Sequence, residues 1–264
     1  MTDSTVLVTT QGPVTKILLN RPDKLNALSQ PLMRSLLQAL QQADVDTDCR
    51  CVLLSGSGRG FSAGADLTGF GLQQNQQDGP DIGAALHSSY HPVIRLMRNM
   101  HKPVITAING IAAGAGCNIG LAGDIVIASQ TATFIQSFIN IGLIPDAAGT
   151  WTIPRLIGRA RALQWMMSGE PLKADTALNW GLISAVYADD DLMQQAETLA
   201  QRMAAQPTKA LAAIKTLVDK SIDQDIEAQM HSEAVAQSQL GRSADCVEGI
   251  TAFLERRTPA FGGQ

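Results

Sequence analysis

Three short apolar runs, CVLLSG at 51–56, PVITAI at 103–108 and DIVIAS at 124–129, constrain the fold more than any other feature of the chain. Each is too short for a helix and is bounded by turn-forming residues, which suits buried strands. Longer segments of helical periodicity or dense small residues separate them. Strands alternating with helices make the expected class α/β.

The same reading extends in both directions. Upstream, TVLVTT and VTKILLN read as strands, and a helix runs through PLMRSLLQALQQA with Ser29 as its N-cap. Between the apolar runs, IGAALHSSYHPVIRLMRNM predicts an amphipathic helix bent near Pro92, and the polar stretch GFGLQQNQQDGPD, from Gly69, predicts a mobile surface loop. The segment NGIAAGAGCNIGLAGD is dense in glycine and alanine, which predicts a helix whose backbone another element approaches closely. From Gly149 the pattern turns helical through PRLIGRARALQWMMSG, KADTALNWG and LMQQAETLAQRMAAQ, with one short strand at LISAVY. This divides the chain into a core over 1–200 and a helical C-terminal region over 201–264.

Composition narrows the function. A chain that is 45% hydrophobic and 17% charged, with net charge −4, suits a soluble enzyme of small-molecule chemistry and argues against nucleic acid or an anionic membrane as partner. The opening MTDSTVLVTTQG has no basic region followed by an apolar run, and no segment approaches a membrane span, so a cytoplasmic location is expected. Cys49, Cys51, Cys117 and Cys246 form no C-x-x-C pair. His87, His91, His101 and His231 show no H-E-x-x-H spacing, so no metal site is expected.

Several small motifs compete for a chemical reading. GFSAG at 60–64 has the G-x-S-x-G pattern with Ser62 as nucleophile, but a polar stretch follows it where a nucleophile elbow needs a helix. GAGCNIG at 114–120 is one residue too long for a dinucleotide fingerprint and lacks the acidic residue downstream. The turns FSAGADL and AAGAGCN each precede a candidate helix N-terminus, whose free amides can stabilise an oxyanion, although close packing also explains such turns. In NIGLIPDAAGTW, Asp146 follows a proline, so both a helix N-cap and a reagent are open readings.

The phrases LNRPDKLNALS, GRGFSAGADL, KPVITAINGIAAGAG, GDIVIAS, IGLIPDAAGTW and EGITAFLERRTPAF, in that order, resemble the crotonase superfamily of enoyl-CoA hydratases and isomerases. The resemblance covers nearly the whole chain. It implies a spiral of ββα units, a C-terminal helical trimerisation region, acyl-CoA thioesters as substrates, and assembly as a homotrimer or a dimer of trimers. No separate cofactor is implied, because coenzyme A is part of the substrate. By position, the N–H groups of Ala65 and Ala115 would form the oxyanion hole, with alanine at 115 where glycine is commoner. Lys24 and Ala27, with Ala63, Asp66 and Leu67, would hold the CoA moiety.

The positions of the two glutamates that activate water in the hydratases are occupied here by Asn118 and Phe138. Neither side chain accepts a proton as a carboxylate does. Asp146 stands where several isomerases of the superfamily carry an acid, and burial by Phe138, Ile144 and Trp151 would raise its pKa. Tyr90 and Phe138 would line an aromatic acyl pocket. Within the superfamily, IGLIPDAAGTW, GRARA and RSADCVEGITAFLERRTPAF look most like the branch that isomerises ring-1,2-epoxyphenylacetyl-CoA and also shifts enoyl double bonds. Three alternatives stay open: a hydratase, an aryl-CoA dehalogenase-like hydrolase with Asp146 as nucleophile, and a non-catalytic scaffold bound to a sister enoyl-CoA hydratase.

Overall fold

Alternation along a single strand shows why the apolar runs are continuous. In Cys51–Gly56, Val52 and Leu54 enter one buried cluster with Leu32, Leu36 and Met97, while Cys51 and Leu53 enter a second with Ala196, Ala200 and Ala204. Both faces of the sheet are therefore covered, as parallel strands require. The computed structural model describes residues 4–70 and 81–263. The loop expected over Gly69 to Pro80 lies almost wholly outside the described residues.

The strands are β1 (Val6–Gln11), β2 (Val14–Leu19), β3 (Cys51–Gly56), β4 (Gly60–Ser62), β5 (Val104–Ile108), β6 (Ile111–Ala113), β7 (Ile125–Ser129), β8 (Thr133–Ile135), β9 (Pro171–Lys173) and β10 (Ala185–Tyr187). One sheet has the order β1-β2-β3-β5-β7-β10 and the other β4-β6-β8-β9. Successive pairs β3–β4, β5–β6 and β7–β8 each place one strand in either sheet, and a helical segment then returns the chain. That repetition is the ββα spiral of a crotonase fold.

The helices in chain order are α1 (Gln30–Val45), α2 (Ile82–Ala85), α3 (His91–Asn99), α4 (Gly114–Leu121), α5 (Gly149–Ile157), α6 (Arg159–Ser168), α7 (Ala174–Trp180), α8 (Leu192–Ala204), α9 (Thr208–Ser221), α10 (Ile226–Leu240) and α11 (Ala244–Glu255). Ser29 caps α1, accepting from the Leu32 N–H. The expected bend near Pro92 is a π-helical turn over Leu86–Tyr90, closed by the His91 N–H on the Leu86 carbonyl. Such a widened turn accommodates the amide that Pro92 lacks. The helix expected through PRLIGRARALQWMMSG divides at Gly158, where φ is 77°.

Crowding on α4 follows from the glycines. A Cβ on Gly116 would lie 2.4 Å from Ser62 Oγ, so β4 crosses the helix backbone at contact distance. The strands β4, β6, β8 and β9 are too short to show a period of their own, and the sequence gives no separate sign of them. Residue 200 falls inside α8, whose Ala204 is still buried. Beyond it, α9 is tied to the core by Lys215 Nζ, which donates to Asp124 Oδ2 at 2.8 Å and to the Met97 carbonyl at 2.6 Å. The last helices leave Ile226, Met230, Val247, Ile250, Phe253 and Leu254 exposed. No helix among the described residues is long and apolar enough to cross a membrane.

Candidate active site

The two small-residue turns of the sequence meet at van der Waals distance. Gly64 has φ of 93°, and a Cβ there would lie 2.8 Å from the Ala113 carbonyl oxygen and 3.7 Å from Gly114 Cα. Only glycine lets the turns approach this closely. Ala65 and Ala115, each next in sequence, are brought side by side.

Both alanines have N–H groups without a backbone partner, for different reasons. A parallel bridge joins Leu28 to Ala65: Leu28 donates to the Gly64 carbonyl at 2.8 Å and Asp66 donates to the Leu28 carbonyl at 3.3 Å. In that pattern the N–H of Ala65 itself faces away from Leu28. Ala115 lies in the first turn of α4, after a left-handed Gly114 with φ of 50°, and Ala113 supplies no side-chain cap. First-turn N–H groups have no partner within their helix. Phe138 approaches the same turn, with Cζ at 3.7 Å from a Cβ built on Gly114.

Asp146 lies just before α5 but does not cap it. The N-cap is Ala148, with no side-chain hydrogen bond. The carboxylate is largely buried, and its Oδ1 has no hydrogen-bond partner among the described residues. Burial raises its pKa from 3.8 to about 6, against a smaller opposing pull from its own backbone amide. The expected source of that burial needs correction. Ile144 is 78% exposed and is not a source of it, while Trp151 stacks with the guanidinium groups of Arg98 and Arg155, at 4.8 and 4.1 Å. Phe138 and Tyr90 are buried, and the negative charge of Asp146 helps to raise the Tyr90 phenol above its ordinary pKa, after burial itself.

Residues 24–28 and 63–67 come together in the structure. Ala63 donates to the Leu25 carbonyl at 2.8 Å, and Arg21 bonds both the Ala27 carbonyl and the Asp66 carboxylate. Lys24, Ala63 and Leu67 are exposed, while Ala27 and Asp66 are half-buried. Hydrogen bonds from Thr68 and Arg21 hold the Asp66 carboxyl below the usual range, so it stays ionised. Tyr90 lines a cavity of about 680 Å³ together with Asp66, Leu28, Met33 and Ala85. Tyr90 is thus common to that cavity and to the surroundings of Asp146. Ala65, Ala115 and Asp146 line neither this cavity nor the slightly larger clefts beside α9 and α10.

Sequence reasoning missed Asn26 and Gln136. Asn26 is fully buried with φ of 54°; its side chain accepts from the Arg21 N–H and donates to the Ser57 and Gly60 carbonyls, which fixes the 24–28 turn. Asparagine's tolerance of left-handed backbone was the available signal. Gln136 gave none. Ser62 is not a nucleophile: its buried hydroxyl donates to the Asn26 carbonyl at 2.9 Å and accepts from the Gly64 N–H at 3.2 Å. The described residues contain no metal-binding cluster.

The family model for enoyl-CoA hydratase/isomerase matches residues 9–264. The chain belongs to that family. A 1,2-epoxyphenylacetyl-CoA isomerase of Escherichia coli is 40% identical over 95% of both chains. A protein described as a probable enoyl-CoA hydratase from Rhodobacter capsulatus is also 40% identical, over 94% of both chains. The solved structure of an enoyl-CoA hydratase from Bacillus anthracis superposes with a TM-score of 0.90 at 31% identity, covering 98% of this chain and 100% of that one. The protein is therefore an enzyme of the hydratase/isomerase class.

Proposed function

We propose that the protein isomerises acyl-CoA thioesters by moving a proton through an enolate, with Asp146 as the only catalytic carboxylate. The observation that carries this reading is the carboxylate itself: largely buried, unpartnered at Oδ1 and with its pKa raised to about 6. A base with a pKa near the working pH can both take and return a proton.

On a 3-enoyl thioester, ionised Asp146 removes a proton from C2. The electron pair delocalises onto the thioester oxygen, where the Ala65 and Ala115 N–H groups donate to it. Each such donor is worth about 3 kcal/mol in the transition state. Protonated Asp146 then delivers the proton to C4, the C2=C3 bond forms and C3=C4 is lost. No water enters. Ring-1,2-epoxyphenylacetyl-CoA is the second proposed substrate, supported by the 40% identity to the E. coli isomerase and by the aromatic pair Tyr90 and Phe138.

The equally similar hydratase relative supports water addition as the rival. Against it, both ends of the Asn118 amide are already bonded within the protein, and Phe138 has no polar atom to hold water. Assembly as a trimer or a dimer of trimers is proposed from the exposed apolar residues of α10 and α11. The test is to offer 3-enoyl and aryl-epoxide CoA thioesters to the wild type and Asp146→Asn in oxygen-18 water. Unlabelled isomerised product, lost in the variant, is expected. Full activity of Asp146→Asn defeats the proton-shuttle role, and label in a hydrolysed product replaces it with covalent attack by Asp146.

A further inference from the structure

A buried relay of side-chain amides ends on the main chain of Asp146. Gln136 and Asn118 are 0% and 2% exposed. Asn118 Nδ2 donates to the Asp146 carbonyl at 2.8 Å, and Gln136 Nε2 donates to Asn118 Oδ1 at 2.9 Å. The direction of the relay is forced from one end. A carbonyl only accepts, so Asn118 must turn its amino group toward Asp146 and its oxygen toward Gln136, which must then offer its own amino group. This arrangement leaves Gln136 Oε1 buried without a partner among the described residues, a cost in stability.

The segment held by the relay has one bond of its own, from the Gly149 N–H to the same Asp146 carbonyl at 2.8 Å, and otherwise runs through strained backbone. Ala147 and Ala148 follow Asp146 with φ of 46° and 64°. Left-handed alanines persist only where their surroundings over-determine them. Asn118 is also wedged against Gly149, where a Cβ would lie 2.3 Å from Nδ2. Close by, the first turn of α5 has no side-chain cap. A carboxylate released from its present setting could swing there and accept from a free N–H, which would lower its pKa.

We infer that Gln136 and Asn118 are positioning residues: the amide relay fixes the main chain of Asp146 so that its carboxylate stays in the site and does not turn to cap α5. This rests on the proton-shuttle reading of Asp146.

The test compares kcat and KM for a 3-enoyl-CoA thioester across pH in the wild type, Asn118→Leu, Gln136→Met and Asp146→Asn. Misplacement of a reacting group by about 1 Å costs about 10²-fold in rate, the loss of kcat expected for Asn118→Leu. A smaller loss is expected for Gln136→Met, with KM little changed in both. Both should also shift the acid limb of kcat to lower pH, as the freed carboxylate caps α5. Wild-type kcat and an unmoved limb in the two relay variants, with Asp146→Asn inactive, overturns the inference even if their thermal stability falls. Activity in Asp146→Asn overturns the underlying reading instead. Should Asn118→Leu fail to fold, Gln136→Met decides, because it removes the donor that fixes the orientation of Asn118 and so loosens the hold of Asn118 on Asp146.

Discussion

Replacing Asp146 with asparagine should make the protein more stable at neutral pH, although it removes the proposed base. In the folded protein, burial moves the carboxyl pKa from 3.8 to about 6. Between those values the folded state keeps a proton that the unfolded state releases, so stability falls as pH rises. Above pH 6 the cost is constant, and at about 1.4 kcal/mol per pH unit it comes to about 3 kcal/mol. Asparagine has nearly the same shape and no charge, so it avoids this cost. The gain should be near zero at pH 3.5 and reach about 3 kcal/mol at pH 8. Urea unfolding of both proteins at one protomer concentration measures it, since assembly also contributes to apparent stability. An equal stability difference at both pH values, or a variant less stable at pH 8, refutes the argument that Asp146 is ionised against desolvation.

Other substitutions test the parts separately. Gly64→Ala would place a Cβ 2.8 Å from the Ala113 carbonyl oxygen at φ of 93°, forcing the two donor turns apart; kcat should fall by about 10²-fold or more, measured with circular dichroism as a folding check. Ser62→Ala should keep its isomerase activity while losing about 1 kcal/mol of stability in denaturant titration, because it removes only two hydrogen bonds. Lys215→Met leaves the Asp124 carboxylate with the Val104 N–H but without its charged partner, and unfolding should show a loss of about 3 kcal/mol at pH 7. That loss should shrink in acid, because burial already raises the pKa of Asp124 and protonation then relieves it.

The sheet was legible in the sequence because strands buried on both faces must be continuously apolar, as Val52 and Leu53 show by pointing into different clusters. Short strands such as β4 and β9 were not, since three residues carry no period. The turns at Gly64 and Gly114 were visible as small-residue density. Their meeting was not, because contact between residues fifty apart is a property of the spiral. Asp146 stood out by its isolation in an apolar phrase. The predicted role of Ile144 in burying it failed because that side chain, on the other side of Pro145, turns to solvent. Gln136 was invisible for a related reason: a buried amide has no pattern, and its purpose lies in a hydrogen-bond direction set by a carbonyl ten residues away.

The most direct test of the central claim is kcat/KM for isomerisation of a 3-enoyl-CoA thioester as a function of pH, in the wild type and in Asp146→Asn. The wild type should lose activity below a single acid limb near pH 6, where Asp146 takes up its proton. Asp146→Asn should be slower by at least about 10²-fold, the contribution of a positioned general base. A wild-type profile that stays flat through pH 6, or an Asp146→Asn enzyme as fast as the wild type, would contradict it.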